Sequence, residues 1–365
     1  MLPTLFLALA PFDIPDPEPT RGTEPLAAAF SKAKAAEYLD GVGVGWTRDR
    51  KCITCHTNMP YLMARPALAG SEGWKEVRTF LEKDAASWAS KEKPPAPTFV
   101  VATAFSLAFS DARTGAAMDA ATKTALDRMW QEQLPTGEWK WLKCNWPPME
   151  HDDYYGATVA ALAVGYAPGG YAKTDAAKAG LAKLKQYLRD TPAPDLHHKA
   201  MLLWASARVE GLLTPAERGR ITEELRAKQR TDGGWSLPSL GEYKRRDKTD
   251  NDPNAPSDGY ATGLAVFVLR EAGVPASDPA IVRGATWIRE NQRESGRWYT
   301  RSLNNDKAHY ITNAGSAFCV LALEAAGALD DAPRVTAEPA PATMPRKPQP
   351  LRNLLKALHG AIRRR

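Results

Sequence analysis

A heptapeptide pattern, Gln-x-x-x-Gly-x-Trp, recurs along this chain and constrains its fold more than any other feature. Complete copies begin at Gln133, Gln229 and Gln292, and a degenerate copy without the glutamine ends in Gly45-Trp46. Each complete copy follows an amphipathic stretch and precedes a more apolar one rich in alanine, glycine and valine. With a period of about 50 residues, the pattern is typical of an array of helical hairpins.

Helical periodicity around these copies predicts six pairs of helices. The charged, outer helices are predicted at 25–39, 73–91, 117–133, 175–189, 215–229 and 279–292. Their apolar, inner partners are predicted at 57–68, 98–110, 153–166, 196–210, 258–273 and 309–327. Six amphipathic hairpins bury their apolar faces best by closing on themselves, so the sequence predicts an all-α fold, an (α/α)6 toroid. An open solenoid is the less favoured alternative because no polar capping repeat is visible.

The repeats resemble the QW repeats of the squalene–hopene cyclase and protein prenyltransferase superfamily, over about residues 24–328. The resemblance implies that Gln133, Gln229 and Gln292 are structural, each capping a helix end while the tryptophan of its copy stacks beside it. Terpene cyclases of that family use two such domains, whereas this chain has the length of one. The resemblance therefore implies the scaffold and leaves the reaction open.

Residues 52–56 read Cys-Ile-Thr-Cys-His, the C-x-x-C-H arrangement through which c-type haem is attached. The thiols of Cys52 and Cys55 add to the two vinyl groups of one porphyrin, and His56 then lies under the iron as an axial ligand. The sequence therefore predicts haem c on these three residues. The alternatives are a dithiol redox pair, no cofactor, or a zinc site completed by Cys144 or His151.

An iron ligated by His56 has a second axial position, for which the candidates are His309, His151 and Met149. His309 is preferred because the sixth inner helix of a closed ring neighbours the first. An open sixth position is the alternative. The sequence places His197 and His198 on a connection without a partner motif, so both are predicted to be surface histidines.

The connection between the third outer and third inner helices ends in Glu150-His151-Asp152-Asp153. This segment resembles the Asp-x-Asp-Asp motif with which squalene–hopene cyclases protonate an alkene. By correspondence Asp152 is the candidate proton donor, flanked by Glu150 and Asp153. That role requires a carboxyl group kept protonated by an apolar cavity and a neighbouring carboxylate. A structural alternative is that Asp153 caps the helix, because Asp258 precedes the fifth inner helix at the position aligned with it.

The two ends of the chain differ from its centre. Residues 1–23 read as a secretory signal followed by an acidic, proline-rich segment, although a basic start is missing. Residues 329–350 read as a Pro/Ala-rich linker, and 351–365 as a basic amphipathic tail that suits an anionic membrane surface or an acidic partner. The net charge of +6 is concentrated in that tail, which argues against nucleic-acid binding.

These features together predict a squalene-cyclase-like protein that carries haem c outside the cytoplasm, in the periplasm or secreted. Electron transfer with a redox partner protein, or redox chemistry on a hydrophobic ligand in the toroid cavity, is the expected role. The alternatives are a terpenoid cyclase-like isomerase or lyase with Asp152 as general acid, and a binding toroid with zinc or without metal. Whether the chain is an enzyme is left open by its sequence.

Overall fold

The computed structural model describes residues 18–68, 70, 72–91 and 95–330. This part of the chain is all-α, with twelve α-helices and no β-strand. The outer helices are α1 (Lys32–Arg50), α3 (Glu72–Ser87), α5 (Ala120–Gln131), α7 (Asp175–Asp190), α9 (Pro215–Ala227) and α11 (Pro279–Glu290). The inner helices are α2 (Asn58–Ala64), α4 (Pro97–Thr114), α6 (Asp153–Tyr166), α8 (Leu196–Ser206), α10 (Gly259–Glu271) and α12 (Ile311–Ala325).

The inner helices contact one another in chain order, α2 to α4, α4 to α6, and onward to α12. The last of them, α12, also contacts the first, α2. These contacts form a closed cycle, which we call the inner cycle. Its helices are buried on nearly all sides, whereas the outer helices bury one face, as their more polar sequences require.

The repeated heptapeptide forms a junction between hairpins. In the first copy, Gln133 Nε2 donates to the Gly137 carbonyl at 2.9 Å and to the Gly180 carbonyl, on α7, at 3.0 Å. The Trp139 indole N–H donates to the Met129 carbonyl in the last turn of α5, at 2.7 Å. The glutamine thereby ties the loop of its own copy to the next outer helix, and the tryptophan ties the same loop to the last turn of α5.

The other two copies repeat this geometry. Gln229 bonds the carbonyls of Gly233 and Ala280, both at 2.8 Å. The indole N–H groups of Trp235 and Trp298 donate to carbonyls ten residues earlier, those of Leu225 and Ile288. In each copy the glutamine therefore joins two hairpins, and the tryptophan N–H bonds the last turn of the helix before it.

The third copy joins the last hairpin to the first. Gln292 Nε2 donates to the Ser31 carbonyl at 3.0 Å, while the Ser31 N–H donates to Gln292 Oε1 at 2.7 Å. Ser31 is also the N-cap of α1. This reciprocal pair therefore fixes the start of the first outer helix to the end of the last.

The first outer helix differs from its prediction. It spans Lys32–Arg50 rather than 25–39, so Gly45 and Trp46 lie within the helix and form no junction. The glycines of this segment serve packing: a Cβ at Gly43 would lie 2.4 Å from the ring of Tyr61. Glycine here permits helix contact and does not mark a turn, so the predicted loop 40–56 shortens to residues 51–57.

One end of the inner cycle is filled by aromatic side chains. Phe105, Phe109, Tyr166, Trp204, Phe267 and Phe318 come from five inner helices. Their rings contact one another at centroid distances between 4.5 and 6.5 Å. At this level the interior is occupied by protein, so a cavity ligand would have to lie nearer the loops that precede the inner helices.

The loops that precede the inner helices contact one another, as expected if every connection from an outer to an inner helix lies on one face of the inner cycle. The Arg246 N–H donates to the Asn304 carbonyl at 2.8 Å, and the Asn304 side chain donates to the Asn145 carbonyl. None of the described helices combines the length and apolar character needed to cross a membrane. Most of the predicted signal segment (residues 1–17), nearly all of the linker and all of the basic tail lie outside the described residues.

The junction geometry predicts that Gly296 tolerates no side chain. Gly296 has φ +92°, and an added Cβ would lie 2.1 Å from the Lys34 carbonyl oxygen. Gly115 has φ +66° with open space around it. We expect Gly115→Ala to lower the free energy of unfolding by about 1–2 kcal/mol, and Gly296→Ala to cost about 3 kcal/mol more. Urea denaturation measures both, and equal losses would contradict the proposed close contact.

Candidate functional site

The C-x-x-C-H segment forms the short loop between α1 and α2, and one buried side chain organises it. Asn58 Oδ1 accepts from the Thr54 N–H at 2.7 Å. Asn58 Nδ2 donates to the Cys52 carbonyl at 2.9 Å and to Thr47 Oγ1 on α1 at 3.2 Å. A buried amide with its hydrogen bonds made in this way fixes the loop against the helix before it.

His56 is held by a chain of polar groups that begins on α1 and α12. Its Nδ1 lies 2.7 Å from Thr57 Oγ1. Thr57 Oγ1 accepts from Asn313 Nδ2 at 3.1 Å, and Asn313 Oδ1 accepts from the Tyr38 hydroxyl at 2.7 Å. A tautomer that donates from Nδ1 leaves the Nε2 lone pair of His56 free to bind a metal, which is the usual arrangement of metal-ligating histidines.

Aromatic rings surround His56. Trp46 contacts it edge-on at 5.0 Å, and Tyr310 stacks on it at 5.2 Å between ring centroids. Burial lowers the pKa of His56 to about 4. The imidazole is therefore neutral near pH 7, the form that binds a metal ion.

Among the described residues, the candidate second ligands have other partners. His309 accepts from the Ser302 N–H through Nδ1 at 3.0 Å and packs against Tyr299. His151 lies against Tyr243, and Met149 is buried. The sixth inner helix does begin beside His56, as expected for a closed cycle, but the residue that contacts the ring is Tyr310.

The loop between α5 and α6 comes close to the cysteines of the loop between α1 and α2. Cys55 is buried, and burial, with a smaller contribution from Glu150, raises the pKa of its thiol. Glu150 also interacts with the exposed Cys144, and burial raises the pKa of the Glu150 carboxyl. This is the loop approach that the zinc alternative requires. The described residues nevertheless contain one group of three His, Cys, Asp or Glu ligand atoms within 4.8 Å of one another, and it lies elsewhere.

The acidic cluster at the start of α6 differs from its prediction in register. Asp152, and not Asp153, is the N-cap, accepting from the Tyr155 N–H at 2.9 Å. Asp153 accepts from the Trp141 N–H at 2.9 Å and pairs with Lys143 at 2.8 Å. Since the N-cap of α10 is Asp258, the residue equivalent to it is Asp152.

Asp152 is held as a carboxylate. Its Oδ2 lies 2.8 Å from His198 Nε2. Although burial alone would raise the pKa of Asp152, its hydrogen bonds with His198 and Tyr155 leave the pKa below its ordinary value. A proton donor needs the opposite shift, which Glu150 shows and Asp152 does not.

His198 is the centre of this cluster, and the prediction that it and His197 lie at the surface is wrong. His198 is buried, with Nε2 on Asp152 and Nδ1 2.7 Å from Oδ1 of Asp195, the N-cap of α8. Hydrogen bonds and attraction from the two carboxylates outweigh burial and raise the pKa of His198 to about 9. The same contacts lower the pKa of Asp195 to about 2.

His197 is also buried, and it points toward the centre of the inner cycle. Its ring stacks between Tyr155 and Tyr260, and Nε2 lies 2.9 Å from the Tyr260 hydroxyl. Burial lowers the pKa of His197 to about 3, so the ring is neutral. One signal in the sequence could have indicated this cluster. Asp195 directly precedes an inner helix, as Asp152 and Asp258 do, and His198 follows it three residues later.

No protein-family model matches this chain, and no curated protein matches it. Function is therefore inferred from the side chains of these two clusters and from the fold that brings them together.

The His198 cluster makes stability depend on pH. Unfolded histidine loses its proton near pH 6.5, whereas folded His198 keeps it to about pH 9, so this contribution is complete below pH 6.5 and disappears as the pH rises to about 9. Folded His197 and His56, with lowered pKa values, cost stability as the pH falls below 6.5. These groups together favour maximum stability near pH 6.5.

The variant to compare with the wild type is His198→Gln, which removes the titrating imidazole. Between pH 6.5 and 9, in the presence of EDTA, we expect the unfolding free energy of the wild type to fall by a few kcal/mol more than that of the variant. Chemical denaturation at several pH values measures this difference. Parallel pH profiles for the two proteins would contradict a buried, protonated His198.

Proposed function

We propose that this chain is an extracytoplasmic protein that carries one covalently attached c-type haem on a squalene-cyclase-like (α/α)6 toroid. The observation that supports it best is the hydrogen-bonded chain from Tyr38 through Asn313 and Thr57 to His56. Second-sphere partners of this kind orient a histidine and fix its tautomer for metal binding. An ordinary loop histidine has no need of them.

The residues of the loop fit the group in their donor chemistry. Cys52 and Cys55 would form the thioether bonds, and His56 Nε2 would ligate the iron. Bound haem would supply a one-electron redox couple. The chain's own residues hold His56 in its neutral form, restrict the loop through Asn58, and surround the imidazole with the aromatic rings of Trp46 and Tyr310.

The surroundings of the loop favour electron transfer as the role. Tyr310 is 39% exposed, and its ring lies 5.5 Å from that of Trp46 and 6.1 Å from that of Trp146. A redox partner protein that docks over Tyr310 would lie close to His56, because the two rings are stacked. A hydrophobic ligand of the cavity would approach from the same loops, because the opposite end of the inner cycle is filled by side chains.

Compartment and membrane contact follow from the same proposal. Haem attachment through C-x-x-C-H takes place outside the bacterial cytoplasm, so we propose a periplasmic or secreted location. The basic tail, residues 351–365, would add a reversible contact with an anionic membrane surface.

The experiment is expression of the full chain with c-type haem maturation machinery, followed by denaturing electrophoresis and haem staining. We expect a stained band that is lost in the Cys52→Ala/Cys55→Ala variant. Cys144→Ala is the matched control, because Cys144 is exposed and outside the motif, and it should stain like the wild type. A colourless wild-type band, or staining that survives the double substitution, would contradict the proposal.

A further inference from the structure

The described residues contain one group of three metal-ligand side chains in close proximity: Asp195, His197 and His198. One ligand atom from each lies within 4.8 Å of the other two. Asp195 is the N-cap of α8, and His197 and His198 lie in its first turn, so the backbone of one helical turn fixes their spacing. The group includes no residue of the C-x-x-C-H loop and has no part in the function proposed above.

His197 provides the strongest indication of a missing ligand. Its Nδ1 is buried and has no hydrogen-bond partner. The other nitrogen, Nε2, is paired with the Tyr260 hydroxyl, and the ring is stacked between two tyrosines, so it cannot rotate freely to find water. A buried polar atom left unpaired costs free energy, and a bound cation would remove that cost.

His198 has the arrangement of a metal ligand with an outer carboxylate. Nε2 is paired with Asp152, which would orient the ring and increase the basicity of Nδ1. Nδ1 faces Asp195 at 2.7 Å, too short a distance to hold an ion between the two atoms. Metal binding would therefore replace this hydrogen bond and require a movement of the Asp195 carboxylate.

An approach from solvent also exists. A cleft of about 490 Å³ is lined by Asp195 and His198, together with His151, Glu242 and Tyr243. A site with three protein ligands beside a cleft keeps a position open for water or a substrate group.

We propose that Asp195, His197 and His198 bind one divalent transition-metal ion, with zinc as the best match to two imidazoles and a carboxylate. Asp152 and Tyr260 are the outer partners of the two histidines.

The test is zinc uptake by the full chain after treatment with a chelator, measured as metal content and by calorimetric titration with Zn²⁺. We expect one zinc ion per chain, and a rise in melting temperature with zinc concentration. His197→Gln should weaken binding by roughly 100-fold or more, since it removes a ligand and not an outer partner. His151→Gln is the matched control, because His151 lines the same cleft but is outside the ligand group, and it should bind like the wild type.

Two further variants test the outer partner Tyr260 and the independence of the site from the two cysteines. Tyr260→Phe retains all three ligands and should weaken binding by about tenfold, so it decides the question if His197→Gln fails to fold. Cys52→Ala/Cys55→Ala should bind zinc normally, which separates this site from the haem motif. Absence of zinc uptake, unchanged affinity in His197→Gln or Tyr260→Phe, or loss of uptake in the cysteine variant would overturn the proposal.

Discussion

The side-chain amide of a glutamine that donates to backbone carbonyls of two hairpins is the interaction on which the inner cycle depends. The glycine of the same copy is required because the next hairpin passes within contact distance of its Cα, and the tryptophan caps the helix that has just ended. The heptapeptide therefore encodes one junction, and the copy at Gln292 uses it to join the two ends of the array.

Much of the fold could be predicted because this junction is local in sequence. Eleven of the twelve described helices lie close to their predicted ranges, and the three glutamines each bond the loop of their own copy. The first outer helix was misplaced because Gly45-Trp46 reads as a degenerate copy of the junction, while in the structure this segment is helical and its Gly43 allows contact with Tyr61. Nothing in the local pattern distinguishes these two uses of glycine.

The candidate sites were predicted less well, for a related reason. The loop of Cys52, Cys55 and His56 was proposed as a site from its spacing, which matches what covalent haem attachment would require. Burial of His197 and His198 depends on α6 and α10, which supply Asp152 and Tyr260 from 46 and 63 residues away. Such contacts leave no periodic signal, and the single local indication was the aspartate that caps each of three inner helices.

The two clusters have different chemistry although both lie where inner helices begin. The His56 loop holds a neutral imidazole among aromatic rings, a setting suited to a redox group. Around His198, two carboxylates hold a proton in the metal-free protein, a setting suited to a cation. The two clusters share no ligand residue, so the haem proposal and the zinc proposal can be tested by separate substitutions.

Mass spectrometry of the full chain, produced in cells that mature c-type cytochromes, tests the central claim most directly. The account predicts an intact mass increased by one haem and a proteolytic peptide spanning Cys52 to His56 that carries the whole increase. A peptide of unmodified mass, in cells that load a control cytochrome normally, would contradict it.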